Sequence, residues 1–379
     1  MAASRVQVPK WVQPQTSKEK LDYIELANLD LSKFDDPTTR KELAKEFFTA
    51  LTTTGFFTIT NHGISKVDWD QQMDLAHEVM TMSPEEKKPY EVSCEDDSKG
   101  IYCGFKIAGG PGYHRAVDWF NMLLNDKVAD RKVPPALAPY MSETRKIMHH
   151  VRDFVQHKLL ILLAMSLELP EEDVLATHKR GECSSEYYRF SGYSPLTKEE
   201  KVKSRGLFMP GHADWGTFSI LFSQTIAALQ VLDYETGTFK WVEHVPYALI
   251  VNVGQGLELL TGGLYKATIH RVVTPPKDQE QELRVGLFYF SRPNDDYMML
   301  PMASSPVLKR LGFDNPLDPE HIFNATEFLE AKKHGYMKPD FDVDKPKDAT
   351  HVDDFRSGDR YGIAKPLVSY GPGSGIKVQ

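Results

Sequence analysis

The chain has 379 residues, of which 41% are hydrophobic, 26% charged and 11% aromatic, enough apolar material for a large buried core. Its net charge is −8 and no lysine or arginine cluster stands out, so neither nucleic acid nor an anionic membrane is an expected partner. Cys94, Cys103 and Cys183 are widely spaced and form no Cys-x-x-Cys pair, which argues against a disulfide framework and against a thiolate zinc site. The apolar runs are too short to span a bilayer and the N-terminal residues are not signal-like, so a cytoplasmic protein is expected.

Residues 1–20 are polar and read as an arm laid over the body. A first strand is expected over 23–29. Asp36-Pro37 then caps a helix in which Leu43, Phe47 and Leu51 recur at four-residue spacing until Gly55 stops it. Residues 56–60 read as a buried strand, followed by the turn Asn61-His62-Gly63, where His62 is expected to bond its own backbone. A second amphipathic helix is predicted over 65–80, and Ser83-Pro84-Glu85-Glu86 opens a short third one. Residues 96–112 are glycine-rich and carry aromatic residues, but contain no phosphate-loop pattern, so they read as the edge of a pocket. A long helix is predicted over 142–167. After Pro170 come short apolar runs at 186–193, 217–222, 229–232, 239–242, 248–253, 266–273 and 285–290, the texture of a barrel or sandwich. Thr326 caps a last helix ending near Gly335, and 338–379 is a polar tail.

Gly211 to Phe222 reads as one strand entered from a loop at Pro210. Alternate side chains of a strand share a face, so His212 and Asp214 would point the same way and could lean onto one metal ion. Taken alone, a His-x-Asp is more often a surface pair. His270 lies in a second strand, and a barrel can bring it to face the first. Two histidines and one carboxylate hold Fe(II) on one side and leave the other side open. Arg284 stands in an otherwise apolar run, and a guanidinium there needs a fixed anion, either a ligand carboxylate or a protein acid.

His212-Ala213-Asp214-Trp215-Gly216, Ala228-Leu229-Gln230-Val231, Val251-Asn252-Val253-Gly254, Leu257-Glu258-Leu259, Tyr265-Lys266 and His270-Arg271-Val272-Val273 fall in this order along the chain. Together they resemble the plant-type Fe(II)/2-oxoglutarate-dependent dioxygenases, relatives of flavonol synthase, the gibberellin oxidases and isopenicillin N synthase. Gly55-Phe56-Phe57 followed by Asn61-His62-Gly63-Ile64 is similar to that family's N-terminal signature, so the resemblance covers roughly residues 22–335. It implies an α+β fold: a mixed helical region over 1–170, a double-stranded β-helix (jelly-roll) core over 171–302, and a C-terminal helix and tail over 303–379. It also implies Fe(II) held by His212, Asp214 and His270, with 2-oxoglutarate and O2 as co-reactants. Arg284 would pair with the distal carboxylate of 2-oxoglutarate and Tyr193 would contact it, while Ser191 stands where an asparagine often precedes that tyrosine. The implied reaction is oxidation of a small organic molecule by hydroxylation, desaturation or ring formation, of the kind found in secondary metabolism.

The chain departs from the pattern at Gly286, where the family's Arg-x-Ser has its serine, and at Ala267, where a serine commonly precedes the second histidine. The missing serine leaves an isopenicillin N synthase-type oxidase that uses no 2-oxoglutarate as the competing reading. A non-enzymatic binding protein on the same fold is a third, against which the intact ligand set weighs. Tyr102, Phe105, Tyr113, Trp119, Phe208, Phe288 and Phe290 are candidates to line the pocket of a flat or apolar substrate. His114-Arg115 reads as solvated loop, with contact to an acidic substrate group as the alternative.

Overall fold

The computed structural model describes residues 7–93, 103–107, 117–124, 131–314 and 322–336. Tyr102, Tyr113, His114, Arg115, Cys94 and the tail lie outside the described residues.

Local chemistry sets the helices. The Asp36 carboxylate accepts the Thr38 and Thr39 N–H groups at 2.8 and 3.0 Å, and Pro37 occupies the first turn of the helix Pro37–Thr53, whose Leu43, Phe47 and Leu51 are buried. Gly55, at φ +64°, reverses the chain into the next strand. Ser65 caps the helix Lys66–Met80 in the same way. The long helix expected over 142–167 is observed as Met141–His150 and His157–Leu167, joined by a π-helical segment, Val151–Gln156. The N-terminal arm does lie on the body, with Trp11 stacked on His77 at 4.8 Å and the Gln15 carbonyl accepting from Gln279 at 2.7 Å.

Twelve strands are described: β1 (Ala27–Asp30), β2 (Phe56–Thr60), β3 (Gly104–Lys106), β4 (Val117–Leu123), β5 (Tyr187–Tyr193), β6 (Leu207–His212), β7 (Phe218–Phe222), β8 (Leu229–Asp233), β9 (Thr238–Trp241), β10 (Leu249–Val253), β11 (His270–Val273) and β12 (Arg284–Phe290). They form an eight-stranded sheet in the order β1-β2-β10-β7-β12-β5-β4-β3 and a four-stranded sheet in the order β6-β11-β8-β9. All neighbours are antiparallel except β1 and β2.

The period of two along each strand gives the large sheet two different faces. Its outer face carries Tyr188, Phe190, Ile220, Phe222, Val251, Leu287 and Tyr289, which join Phe47, Trp69 and Leu159 of the helices in the main core. Its inner face meets the small sheet: Phe56, Leu221 and Ile250 pack on Leu229 and Val231, and Val117 and Tyr193 pack on Phe208 and Val272. The result is the double-stranded β-helix with a helical layer on one face, as expected.

Three strand assignments change, the first being that residues 23–26 stay outside β1, which runs Ala27–Asp30. The run 211–222 is not one strand: β6 ends at His212, the chain turns through 213–217, and β7 begins at Phe218. Residues 266–269 stay outside β11, which starts at His270. β3, β4 and β6 were not anticipated.

Phe222 is fully buried, its ring 4.4 Å from Trp69 and 6.1 Å from Tyr188, and so joins the sheet to the helix Lys66–Met80. Phe222→Ala should cost about 3–5 kcal/mol of stability, measured as a lower urea midpoint.

Candidate functional site

His212 ends β6, Asp214 sits in the turn after it, and His270 opens β11 directly opposite His212 in the ladder. The strand ends therefore do what a shared strand was expected to do. His212 Nε2 lies 3.7 Å from Asp214 Oδ1 and His270 Nε2 lies 3.8 Å from Asp214 Oδ2. One ligand atom from each residue can be chosen so that all lie within 4.8 Å of one another, a spacing that suits a single metal ion.

The donor set is also prepared chemically. Each imidazole turns Nδ1 to a backbone carbonyl, His212 to Pro210 at 2.9 Å and His270 to Thr268 at 3.1 Å. A carbonyl only accepts, so the Nδ1 atoms carry the protons and the Nε2 lone pairs face Asp214, the tautomer a metal requires. Burial and the second imidazole push His212 down to about 4, with Asp214 pulling the other way, so this ring is neutral at neutral pH. Burial alone would raise the Asp214 carboxyl. The facing imidazoles and hydrogen bonds to Oδ2 from Ser219 (2.6 Å) and Asn252 (2.8 Å) bring it below the ordinary carboxylate value. Neither Ser219 nor Asn252 is given a site role by the sequence, although Asn252 stands in the Val251-Asn252-Val253-Gly254 motif. Their signal was a polar residue inside an apolar strand.

Arg284 is the second feature. It opens β12 opposite Tyr193 of β5, is 2% exposed, and its guanidinium carbon lies 4.8 Å from the centre of the Tyr193 ring. Its Nε and Nη1 are buried without a hydrogen-bond partner. Burial pushes the group below its ordinary value and Tyr193 partly opposes this. A buried cation with open donors fits a ligand carboxylate. Ser191, two residues back on the same face and fully buried, also leaves its hydroxyl without a partner.

Of the pocket candidates, Trp119, Phe288 and Phe290 share the inner-face alternation with Ser191 and Arg284. Phe208 meets Tyr193 edge-on at 5.6 Å, closing the gap between the sheets. Phe105 does not face the site: it pairs with Phe120 on the outer face, ring centres 4.8 Å apart, and is buried in the main core. One residue of alternation separates Phe120 from the inward Trp119. His62 behaves as read, its Nδ1 accepting the Ile64 N–H at 3.2 Å, with Nε2 at 2.8 Å from the Tyr247 carbonyl.

The sequence profile of the 2OG-Fe(II) oxygenase superfamily matches residues 182–293, and that of the N-terminal region of non-haem dioxygenases in morphine synthesis matches residues 26–128. The chain belongs to the Fe(II)/2-oxoglutarate-dependent dioxygenases. It is similar to scopoletin 8-hydroxylase of Arabidopsis thaliana, 28% identical over 75% of this chain and 74% of that protein. It is also similar to a 2-oxoglutarate-dependent dioxygenase of Didymella fabae, 24% identical over 76% and 89% of the two chains. In fold it matches a full-length Neurospora crassa protein solved in complex with alpha-KG, TM-score 0.69 at 16% identity over 85% and 99%. JOX2 in complex with 2OG, Fe and JA gives TM-score 0.64 at 20% identity over 87% and 90%. The dioxygenase is thus an oxidoreductase that uses Fe(II), 2-oxoglutarate and O2 on a small organic molecule, and the 2-oxoglutarate-dependent reading holds over the cosubstrate-free oxidase.

The serine this dioxygenase lacks at position 286 has a physical explanation. A Cβ built on Gly286 would lie 2.5 Å from Gln224 Nε2 and 2.6 Å from Phe288 Cε2. Gln224 leaves the end of β7 and holds its amide there by donating from Nε2 to the Val285 carbonyl at 2.7 Å. Gly286→Ser should therefore lower stability by about 1–3 kcal/mol through overpacking. Adding Gln224→Ala, which empties the space, should recover part of that loss in the same denaturation series.

Proposed function

We propose that His212, Asp214 and His270 hold the Fe(II) of this dioxygenase, and that Arg284 and Tyr193 take the distal carboxylate of 2-oxoglutarate with Ser191 beside them. The observation that carries the reading is the pairing of two incomplete sets across the two sheets: three metal-competent side chains at the ends of β6 and β11, and on β12 a buried guanidinium with open nitrogens. Bound there, Fe(II) with 2-oxoglutarate and O2 supplies the oxidising power that removes hydrogen from a substrate C–H bond. The chain's own residues orient and exclude. The Pro210 and Thr268 carbonyls fix both imidazole planes, Ser219 and Asn252 hold one oxygen of Asp214, and the apolar walls keep water from the reacting carbon.

Trp119, Phe288 and Phe290 are proposed to receive the substrate, and relatives named for scopoletin 8-hydroxylation and flavanone 3-dioxygenation favour a flat molecule and hydroxylation as the outcome. The proposed setting is cytoplasmic, with no nucleic-acid or membrane partner. The acidic composition supports it, and no helix among the described residues is long and apolar enough to cross a membrane.

Anaerobic titration of the Fe(II)-loaded protein with 2-oxoglutarate tests the assignment through the weak visible charge-transfer band of keto-acid chelation. The wild type should give the band. Arg284→Ala should need roughly 10–100-fold more cosubstrate, the value of a lost charged hydrogen bond, and Asp214→Ala should lose stoichiometric iron. A wild type that binds iron and gives no band at any concentration would remove the assignment.

A further inference from the structure

The inner face of β5 continues beyond the proposed cosubstrate clamp to Arg189 and Tyr187. Arg189 lies opposite Asn121 of β4 and Phe288 of β12. Its guanidinium carbon is 4.4 Å from the centre of the Trp119 ring and 5.0 Å from those of Tyr187 and Phe290. It donates from Nε to Asn121 Oδ1 at 2.7 Å and from Nη2 to the Tyr187 hydroxyl at 3.4 Å. A second guanidinium, that of Arg292, stands 4.8 Å from the same Tyr187 ring and donates from Nη1 to the Ser185 carbonyl at 3.3 Å. Its stem lies against the turn that carries Asp214, for a Cβ built on Gly216 would sit 3.3 Å from Arg292 Cγ.

Among the described residues neither arginine meets a carboxylate. Arg292 is 9% exposed and Arg189 half-buried, so both charges are partly stripped of water, and among the described residues neutral oxygens and ring faces receive them. The cosubstrate does not answer this charge. Arg189 is four residues from Tyr193, about 13 Å along the strand, so a 2-oxoglutarate held at Arg284 and chelating the iron is spent before it gets there. Nor does the charge balance among the described residues: the two negative charges of 2-oxoglutarate and that of Asp214 are matched by Fe(II) and Arg284, leaving Arg189 and Arg292 over.

We propose that this dioxygenase takes an anionic planar substrate, a carboxylate-bearing aromatic or conjugated small molecule, with the carboxylate received by Arg189 and Arg292 and the flat body resting among Trp119, Phe288 and Phe290. The inference rests on the metal and cosubstrate assignment above and narrows it to a substrate class. The planar forks supply paired donors in the geometry a carboxylate accepts, and the ring faces hold the forks rigid before binding. An amine or a second cation is turned away by the same pair.

The test uses the full chain loaded with Fe(II) and saturating 2-oxoglutarate without oxygen, so that the cosubstrate site is filled and its band reports that the first assignment stands. The probes are a panel of aromatic and conjugated monocarboxylic acids, among them benzoate, cinnamate and naphthoate, each beside its neutral primary amide. Binding is read by calorimetry and by the shift of the band. At least one acid should bind ten-fold or more tightly than its amide. Arg189→Gln and Arg292→Gln should each erase that preference while the 2-oxoglutarate titration stays within two-fold of wild type, which a collapsed barrel would not allow. Arg189→Lys, which keeps the charge and the volume but not the fork, should retain an intermediate preference, and serves where the glutamine variant does not fold. If the band forms and no acid in the panel outbinds its amide, or if the preference survives both glutamine variants, the anionic-substrate proposal is overturned while the iron and cosubstrate assignment remains. Failure of the band itself falls on that assignment.

Discussion

Both sheets reach the Asp214 carboxylate. His212 and His270 approach it from the small sheet, on β6 and β11, while Ser219 and Asn252 hold it from the large sheet, on β7 and β10. A buried carboxylate without partners costs several kcal/mol, so these contacts are a condition of folding as much as of chemistry. They also fix how far apart the sheets stand at this end of the barrel. The turn that carries the carboxylate is tied on both sides: the Gln255 N–H donates to the Asp214 carbonyl at 2.7 Å, Thr217 N–H to Ser291 at 2.9 Å, and Gly254 N–H to Thr217 at 3.0 Å. The strands that deliver the imidazoles and the strands that deliver the hydrogen bonds are thereby locked in one register, and Arg284, at the start of β12, inherits its place from the same sheet.

Much of this was legible because it is local. Caps and four-residue spacing mark the helices Pro37–Thr53 and Lys66–Met80, and period-two apolar runs mark β5, β7, β8, β10 and β12. What escaped depends on partners far along the chain. β4 reads poorly as a strand because Asp118 and Asn121 interrupt its apolar pattern, yet Asp118 pairs with the buried Lys87 at 2.5 Å on one face and Asn121 accepts from Arg189 at 2.7 Å on the other. Neither partner is visible from the sequence around residue 118. The same limit misplaced Phe105: a three-residue strand has no period to read, and only its pairing with Phe120 turns it outward. The turn at 213–217 was missed for a different reason, since Ala213 to Thr217 contains no proline and a single glycine, and its course depends on backbone bonds to Ser291 and Gly254 that Gly216 admits, a Cβ there falling 2.2 Å from the Ser291 carbonyl oxygen.

Gly286 illustrates what a missing side chain can and cannot say. The sequence shows a hydroxyl lost beside Arg284. It does not show that the space is filled, because the filling amide belongs to Gln224 and is anchored to Val285, 61 residues away. The amide brings its own polarity to the same wall: Nε2 is engaged with the Val285 carbonyl, while Oε1 is buried and unpartnered, as is the Ser191 hydroxyl facing Gly286 across the ladder. Polar capacity near Arg284 is therefore redistributed to Ser191 of β5 and to Gln224 beyond the end of β7, which is why the loss of one serine need not weaken the hold on a carboxylate.

Arg284, Arg189 and Arg292 differ in how each spends its fork. Arg284 keeps Nε and Nη1 open in a dry niche against one ring, an arrangement that gains most from a fully desolvated anion. Arg189 has three rings around its guanidinium and its Nε committed to Asn121, so it is held rigid. Rigid donors lose little entropy on binding, and an anion fixed there sits at a set distance from the Asp214 turn through Arg292. On the reading that a substrate carboxylate occupies that end, the carbon presented to the metal is chosen by its distance from the carboxylate along a flat molecule, and the aromatic walls need supply only the plane.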